Sequence, residues 1–521
     1  MTKYDVLVVG TGATGGWAAK SLAQRGLRVV MLEAGPQFNA KAEFQRELAN
    51  VFSGKGKHIS NIDRIGGSPN TANDRQFIQA NCYAYSPTTK HLFVDDLDNP
   101  YEVAEGKPFN WIRCRQVGGR SNLWARVAIR MSDFQFQGKY QNLPSWPITY
   151  QDISSHYDEI ESFFHVSGSK ENHSEVPDGI FIEDDLLPQD PEIALKKAAA
   201  ELWPGDTRLF RLRTTSITQP YVSIISREAL PFYSSSGSTI PIAVNSGLVD
   251  VIPNAVVHEI IMSANGKKAQ GVEYFDAVSG ESKQITAKVV MLCASTLEST
   301  RILLNSKSSK YPNGVGNSSG VLGHFLMDHV SGAWVSGTKL GPSVDERNTH
   351  IYMPPIRVNS FLPVGAQGYL SSKSVKFIGF GEMRPRYENQ VTISETLKDK
   401  WGIPALKIEC EYSDEEKAAA HEWKQCMETF LTHAGYETKV SNEKLSVPGS
   451  GIHEMGTARM GNDGKNSILD SYCRSWDVPN LFVTDGSAFV TSSYHNPTLT
   501  MLALTNRACV YIVNNFNSEF A

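Results

Sequence analysis

Six residues near the start of the chain, Gly10-Thr11-Gly12-Ala13-Thr14-Gly15, have the spacing G-x-G-x-x-G, and a carboxylate, Glu33, closes the next apolar run. Glycines at this spacing let the chain turn tightly, bring backbone N–H groups close to a pyrophosphate, and let a helix pack on a strand. The helix dipole then faces the phosphates. A carboxylate at the end of the second strand can accept hydrogen bonds from ribose hydroxyls. The pattern predicts a dinucleotide site at Gly10, Thr11, Gly12, Ala13, Thr14, Gly15 and Glu33. It does not by itself separate nicotinamide from flavin dinucleotides.

Other constellations are weaker. The seven cysteines, Cys82, Cys114, Cys293, Cys410, Cys426, Cys473 and Cys509, form no C-x-x-C and no cluster. Their spacing predicts free thiols rather than a disulfide framework, a zinc site or an iron–sulfur site. His329, His421 and His433 have no metal-ligand spacing, and His329 reads as structural, so no metal is expected. Ser450 lies between glycines but not in a G-x-S-x-G elbow, which gives a serine hydrolase no support.

The elements that would position the dinucleotide motif follow from periodicity. Residues 4–9 read as a buried strand, 13–26 as a helix and 28–33 as a second strand, a β-α-β unit. Residues 35–110 are irregular, as in a segment that wraps a ligand or covers a domain. Residues 248–262 and 269–276 read as a strand pair turning at Asn265-Gly266. Residues 288–294 read as a buried strand and 295–305 as a helix. From 331 to 412 alternating stretches such as 390–394 and 405–412 predict an antiparallel sheet. Ser413 and Glu416 form a capping box for a helix to about Ala434, stopped by Gly435. A last helix is expected near 497–514. The implied fold is α/β. A Rossmann-like nucleotide domain, discontinuous over 1–150, 240–330 and 450–521, carries an inserted antiparallel-sheet (α+β) domain from 151–239 and 331–449.

Composition bounds the rest. With 521 residues, 41% of them hydrophobic, the chain can bury a large core. A net charge of −5 with no basic excess argues against nucleic acid as a partner. No run of 18 apolar residues is present, so no membrane span is expected. The first strand begins at Tyr4, which leaves no room for a signal peptide, and scattered thiols suit a reducing compartment. The expected location is cytoplasmic; the alternative is the periplasm, reached with an exported partner subunit.

Five segments together resemble the glucose–methanol–choline (GMC) oxidoreductase family. They are Leu32-Glu33-Ala34-Gly35-Pro36, Val117-Gly118-Gly119-Arg120-Ser121-Asn122-Leu123-Trp124, the Ser295–Leu304 helix, Gly451–Gly461 and Asp485–Leu499. The resemblance covers the whole chain. Within the family, Asn317-Ser318-Ser319-Gly320, Leu326-Met327-Asp328-His329 and Asn496-Pro497-Thr498-Leu499-Thr500 are most similar to the pyranose and glycoside oxidases and the gluconate, polyol and glucoside dehydrogenases. The resemblance implies FAD. Gly118, Gly119, Ser121 and Asn122 would lie along the isoalloxazine, Val257 would contact adenine, and Asp485 and Gly486 would approach the ribityl and phosphate groups. Asn496, Pro497 and Thr498 would complete the cofactor contacts. Leu123 stands where some relatives carry a histidine linked to the flavin, so FAD is expected to be non-covalent. Residues 205–235 lack the cysteine-rich insert of some dehydrogenases.

The same resemblance implies a catalytic pair. His453, in Gly451-Ile452-His453-Glu454-Met455-Gly456-Thr457, would take the hydroxyl proton while hydride leaves to flavin N5. Asn496 would orient the oxygen. An imidazole, with an unperturbed pKa of roughly 6.5, suits the base, and an amide can donate and accept. His495 is a possible substrate or supporting contact. Glu382, Asn389, Gln390, Phe377 and Phe380 are candidates to line the pocket. The implied reaction is oxidation of a secondary alcohol of a pyranose or glycoside, at C2 or C3, to a ketone, with oxygen, a quinone or another acceptor taking the electrons. A polyol or sugar-acid dehydrogenase is the alternative, and an FAD-containing lyase a more distant one. A small partner subunit or a homo-oligomer is possible on the same grounds.

Overall fold

The computed structural model describes residues 3–38, 75–86, 89–139, 143–183, 188, 190–204, 209–215, 234–339, 349–355, 362–442 and 444–520, the side chains of 183 and 439–441 excepted. The apolar run Tyr4–Val9 lies within a seven-stranded sheet. It pairs in parallel with Val29–Leu32 on one side and Ser282–Leu292 on the other. Val249–Ile252 extends the parallel run, and Leu481–Val483 joins along Val290–Leu292. Val6, Val8, Val30, Val290 and Phe482 are fully buried, as parallel strands covered on both faces require. The first part of Ser282–Leu292 pairs antiparallel with Ala269–Asp276, which pairs with Ala255–Met262.

The expected strand 248–262 is therefore two strands in different parts of this sheet. Pro253 has no N–H for a ladder and Asn254 sits at φ +58°, so the chain turns between Ile252 and Ala255. The helix Ala13–Gln24 is flanked by the last helix, Thr498–Asn515, and the two are joined by Trp17 Nε1 donating to Asn506 Oδ1 at 3.1 Å.

A second sheet has six strands, in the order Glu437–Asn442, Val330–Thr338, Ser374–Gly381, Val364–Leu370, Thr349–Met353, Phe210–Arg211, every pair antiparallel. The helix Asp414–His433 packs on it. The Ser413/Glu416 capping box opens this helix, and Gly435 at φ +80° follows its end. Gly379 makes room for the Trp423 ring, and Phe430 meets Phe377 edge-on.

Gln390–Lys398 and Pro404–Glu409 pair antiparallel as expected, but outside that sheet. They form a separate three-stranded sheet with Glu102–Val103. Pro385, which cannot donate to a ladder, stands between the end of Ser374–Gly381 and Gln390. Of the irregular stretch 35–110, residues 39–74 and 87–88 lie outside the described residues. The remainder holds two 3₁₀ turns, Gln79–Asn81 and Lys90–Leu92, and the strand Glu102–Val103. Among the described residues no helix is long and apolar enough to cross a membrane.

Candidate active site

The parallel strands Tyr4–Val9, Val29–Leu32, Ser282–Leu292 and Leu481–Val483 all end at one edge of their sheet, so Gly10, Glu33, Cys293 and Asp485 gather there. Gly10 has φ +98°, and a Cβ on it would lie 2.3 Å from the Cys293 carbonyl oxygen. A Cβ on Gly15 would lie 2.0 Å from the Gly10 carbonyl oxygen, so the helix can seat only on glycine. Gly12 differs: a Cβ there would meet nothing within 4 Å among the described residues. Open space in front of the helix N-terminus is what a pyrophosphate needs, and the residues present fit a dinucleotide.

Glu33 is tied into this turn. It accepts from the Thr11 hydroxyl (2.6 Å), the Thr11 N–H (3.2 Å) and the Gly35 N–H (3.0 Å). Burial still raises its pKa above the usual carboxylate range. Two carboxylate oxygens offer about four acceptor positions, so one remains for a ribose hydroxyl. Ala255 donates its N–H to the Glu33 carbonyl (2.7 Å), which brings the strand bearing Val257 alongside. Ala13 and Thr14 open the helix Ala13–Gln24.

The Thr11 hydroxyl also accepts from the Gly118 N–H at 3.0 Å, linking the turn to the Gly118–Asn122 loop. Gly118 and Gly119 both have positive φ there. The Ser121 hydroxyl donates to the Gly118 carbonyl (2.6 Å) and accepts from the Ser235 N–H (2.8 Å). The Asn122 amide binds the Val117 carbonyl and the Ser236 hydroxyl. These side chains hold the loop's shape. Arg120, given no role by the sequence, forms an ion pair with the buried Glu454 at 2.7 Å. Asp485 accepts from the Ser299 hydroxyl (2.5 Å) and the Ser487 N–H (3.0 Å). A Cβ on Gly486 would collide with the Glu454 carbonyl at 2.6 Å, and the Gly456 N–H donates to the Gly486 carbonyl. The two C-terminal motifs are thus pinned together.

His453 is placed by Asp328. The buried carboxylate accepts from the N–H groups of Gly449 (2.8 Å), Gly451 (2.9 Å) and His453 (3.1 Å). Burial first, and Glu454 second, push its pKa up to about 6. Met327 and Met455 exchange backbone hydrogen bonds, which sets His329 beside His453. Their Nδ1 atoms are 2.9 Å apart. His453 Nε2 lies 3.4 Å from Asn496 Nδ2, and Asn496 Oδ1 accepts from Gln367 Nε2 at 2.7 Å. Pro497 and Thr498 follow directly, Thr498 as the first residue of the last helix.

Burial, with His329 and the Arg120 cation adding to it, holds the His453 pKa well below its usual value. The ring is neutral at neutral pH and can accept a proton. His329 is also neutral, pushed by burial to about 4.

His329, read from sequence as structural, lies with its ring against the imidazole of His453. Of the candidate pocket residues, Phe380 has its ring 6.2 Å from His453, whereas Phe377 is core, Asn389 accepts from the Glu411 N–H and Gln390 bonds to Glu409 of the small sheet. His495 is buried against Tyr494 and Tyr352, and neither of its ring nitrogens has a hydrogen-bond partner among the described residues. Gln367 gave no signal in sequence: it is one glutamine in the largely buried strand Val364–Leu370. Asp328 lay inside a quoted motif, but only the fold reveals the three N–H groups it serves.

Two family models described as GMC oxidoreductase match residues 233–331 and 385–505, and a model described as FAD binding domain matches residues 5–55. The chain belongs to the GMC oxidoreductase family. It is an FAD-dependent oxidoreductase acting on CH–OH groups. A 2-methyl-1,2-propanediol dehydrogenase of Mycolicibacterium austroafricanum is 27% identical, the match covering 98% of this chain and 96% of that protein. A C-glycoside 3-oxidase of Arthrobacter globiformis is 23% identical over 99% and 96%. Among solved structures, a formate oxidase of Aspergillus oryzae superposes with a TM-score of 0.65 at 14% identity, covering 99% of this chain and 98% of that one. That likeness is one of fold.

Proposed function

We propose that this GMC oxidoreductase oxidises a secondary hydroxyl of a pyranose or glycoside to a ketone, at C2 or C3, with His453 as the base and Asn496 as its partner. The observation that carries the pair is the neutral, half-buried His453 ring with Nε2 facing the Asn496 amide at 3.4 Å. Bound FAD supplies the hydride acceptor. His453 Nε2 takes the hydroxyl proton, and the Asn496 N–H donates to the alcohol oxygen and orients it. Phe380 offers an aromatic face beside the pair for a sugar ring. The glycoside-oxidising relative supports this substrate class. The diol-oxidising relative favours a second reading, a small polyol.

Gly10–Gly15, Glu33, Val257, Gly118, Gly119, Ser121, Asn122, Asp485, Gly486, Asn496, Pro497 and Thr498 would hold the cofactor, non-covalently, since Leu123 occupies the position at which some relatives carry a histidine that makes a covalent link. Anaerobic bleaching of the flavin by a panel of pyranoses, glycosides, diols and sugar acids tests the substrate class. Fastest bleaching by a glycoside supports the first reading, and by an acyclic diol the second.

A further inference from the structure

The hydrogen bonds around His453 form one continuous chain. Gln367 Nε2 meets Asn496 Oδ1 (2.7 Å), Asn496 Nδ2 meets His453 Nε2 (3.4 Å), His453 Nδ1 meets His329 Nδ1 (2.9 Å), and His329 Nε2 meets the Ser492 carbonyl oxygen (3.4 Å). Nearly every member can reverse. An amide can be turned over, and a neutral imidazole can carry its hydrogen on either nitrogen. The Ser492 carbonyl cannot, because an oxygen of this kind only accepts.

That fixed end sets the direction of the rest. His329 Nε2 carries the hydrogen. The ring is buried and neutral, so its Nδ1 is bare. The hydrogen between the two rings then belongs to His453 Nδ1. His453 is neutral too, which leaves its one lone pair on Nε2. The Asn496 N–H faces that lone pair, and its oxygen turns to Gln367.

We propose that His329 and Gln367 are positioning residues: His329 fixes the tautomer of His453 so that its lone pair sits at Nε2, and Gln367 fixes the Asn496 amide as a donor toward the same point. This rests on His453 being the base. The opposite tautomer would present an N–H to the alcohol and could take no proton. With the chain as assigned, the hydroxyl proton goes to Nε2 without a change of tautomer, the Asn496 N–H turning from Nε2 to the alcohol oxygen. The new charge on His453 is shared through Nδ1–H with the His329 lone pair. A histidine base held in the wrong tautomer loses up to ~10⁴-fold in kcat.

The test is two-bond ¹H–¹⁵N correlation NMR of the holoenzyme labelled with ¹⁵N-histidine, the His453 signals being those missing from His453→Ala. In the wild type His453 should show protonated Nδ1 and bare Nε2, and His329 the reverse. His329→Leu should shift His453 toward the Nε2-protonated pattern and lower kcat at least ~10-fold with little change in KM. His329→Asn keeps an acceptor near the Nδ1 position and should restore the wild-type pattern and most of the rate. An Nε2-protonated His453 in the wild type, or an unchanged pattern in His329→Leu, overturns the proposal. The wild-type spectrum decides the tautomer even if His329→Leu does not fold. If the spectrum is as assigned but His453→Ala reduces FAD at the wild-type rate, the base reading fails and the tautomer assignment survives.

Discussion

Asp328→Asn isolates the device that places the base. In the wild type one carboxylate oxygen serves the N–H groups of Gly449 and Gly451, and the other serves the N–H of His453. Asparagine keeps one acceptor. Turned to satisfy the two glycine N–H groups, it points its own NH₂ at the N–H of His453. One buried N–H then goes unsatisfied, which costs about 1–3 kcal/mol. If that cost appears as misplacement of the imidazole, the rate falls by about 5- to 150-fold. The three residues whose N–H groups Asp328 accepts from are not among those proposed to hold FAD, so FAD content should stay near that of the wild type. The assay is anaerobic stopped-flow reduction of the flavin by the best substrate of the panel, with FAD content read from the absorbance ratio. Reduction within about twofold of the wild-type rate, at full FAD loading, would refute the view that Asp328 holds His453 in place.

Three further outcomes follow from named contacts. Gly10→Ala should lose folded protein, because its Cβ would overlap a backbone oxygen at positive φ, whereas Gly12→Ala, at φ −63° with open space in front, should keep the apoprotein's melting temperature and lose FAD; equal melting and equal loading of the two would contradict this. Glu382 is buried and its folded pKa is raised, mainly by that burial, to about 7 from 4.5. The folded state therefore binds this proton more tightly than the unfolded state, and the stability it contributes is full below pH 4.5 and lost as pH rises through 7. Glu382→Gln should flatten that decline by up to about 3 kcal/mol, read as urea midpoints from pH 4.5 to 8, and an unchanged slope would count against it. Acid precipitation should release all the FAD into the supernatant, and yellow colour in the pellet would contradict non-covalent binding.

Much of the scaffold was legible because local rules act alone there. Val6–Val9 had to be a buried strand, the glycine spacing had to turn into a helix, and Ser413, Glu416 and Gly435 marked a helix at both ends. The split at Pro253 and the break at Pro385 could have been read from the missing proline N–H. The separate sheet of Gln390–Lys398 could not, since its third strand, Glu102–Val103, comes from nearly 300 residues away. His453 and Asn496 were found by resemblance. Of their surroundings, Asp328, Gln367 and Arg120 were assigned no role and His329 only a structural one, because these contacts depend on long-range pairings such as Met327 with Met455.

The central claim is that His453 takes the proton. His453→Ala is the direct test, with His495→Ala as the control, both followed by anaerobic flavin reduction at matched FAD content. The account expects His453→Ala to slow reduction by ~10²–10⁴-fold, the usual range for removing a general base, while His495→Ala does much less. Equal or reversed ranking, with both variants folded and yellow, would contradict it.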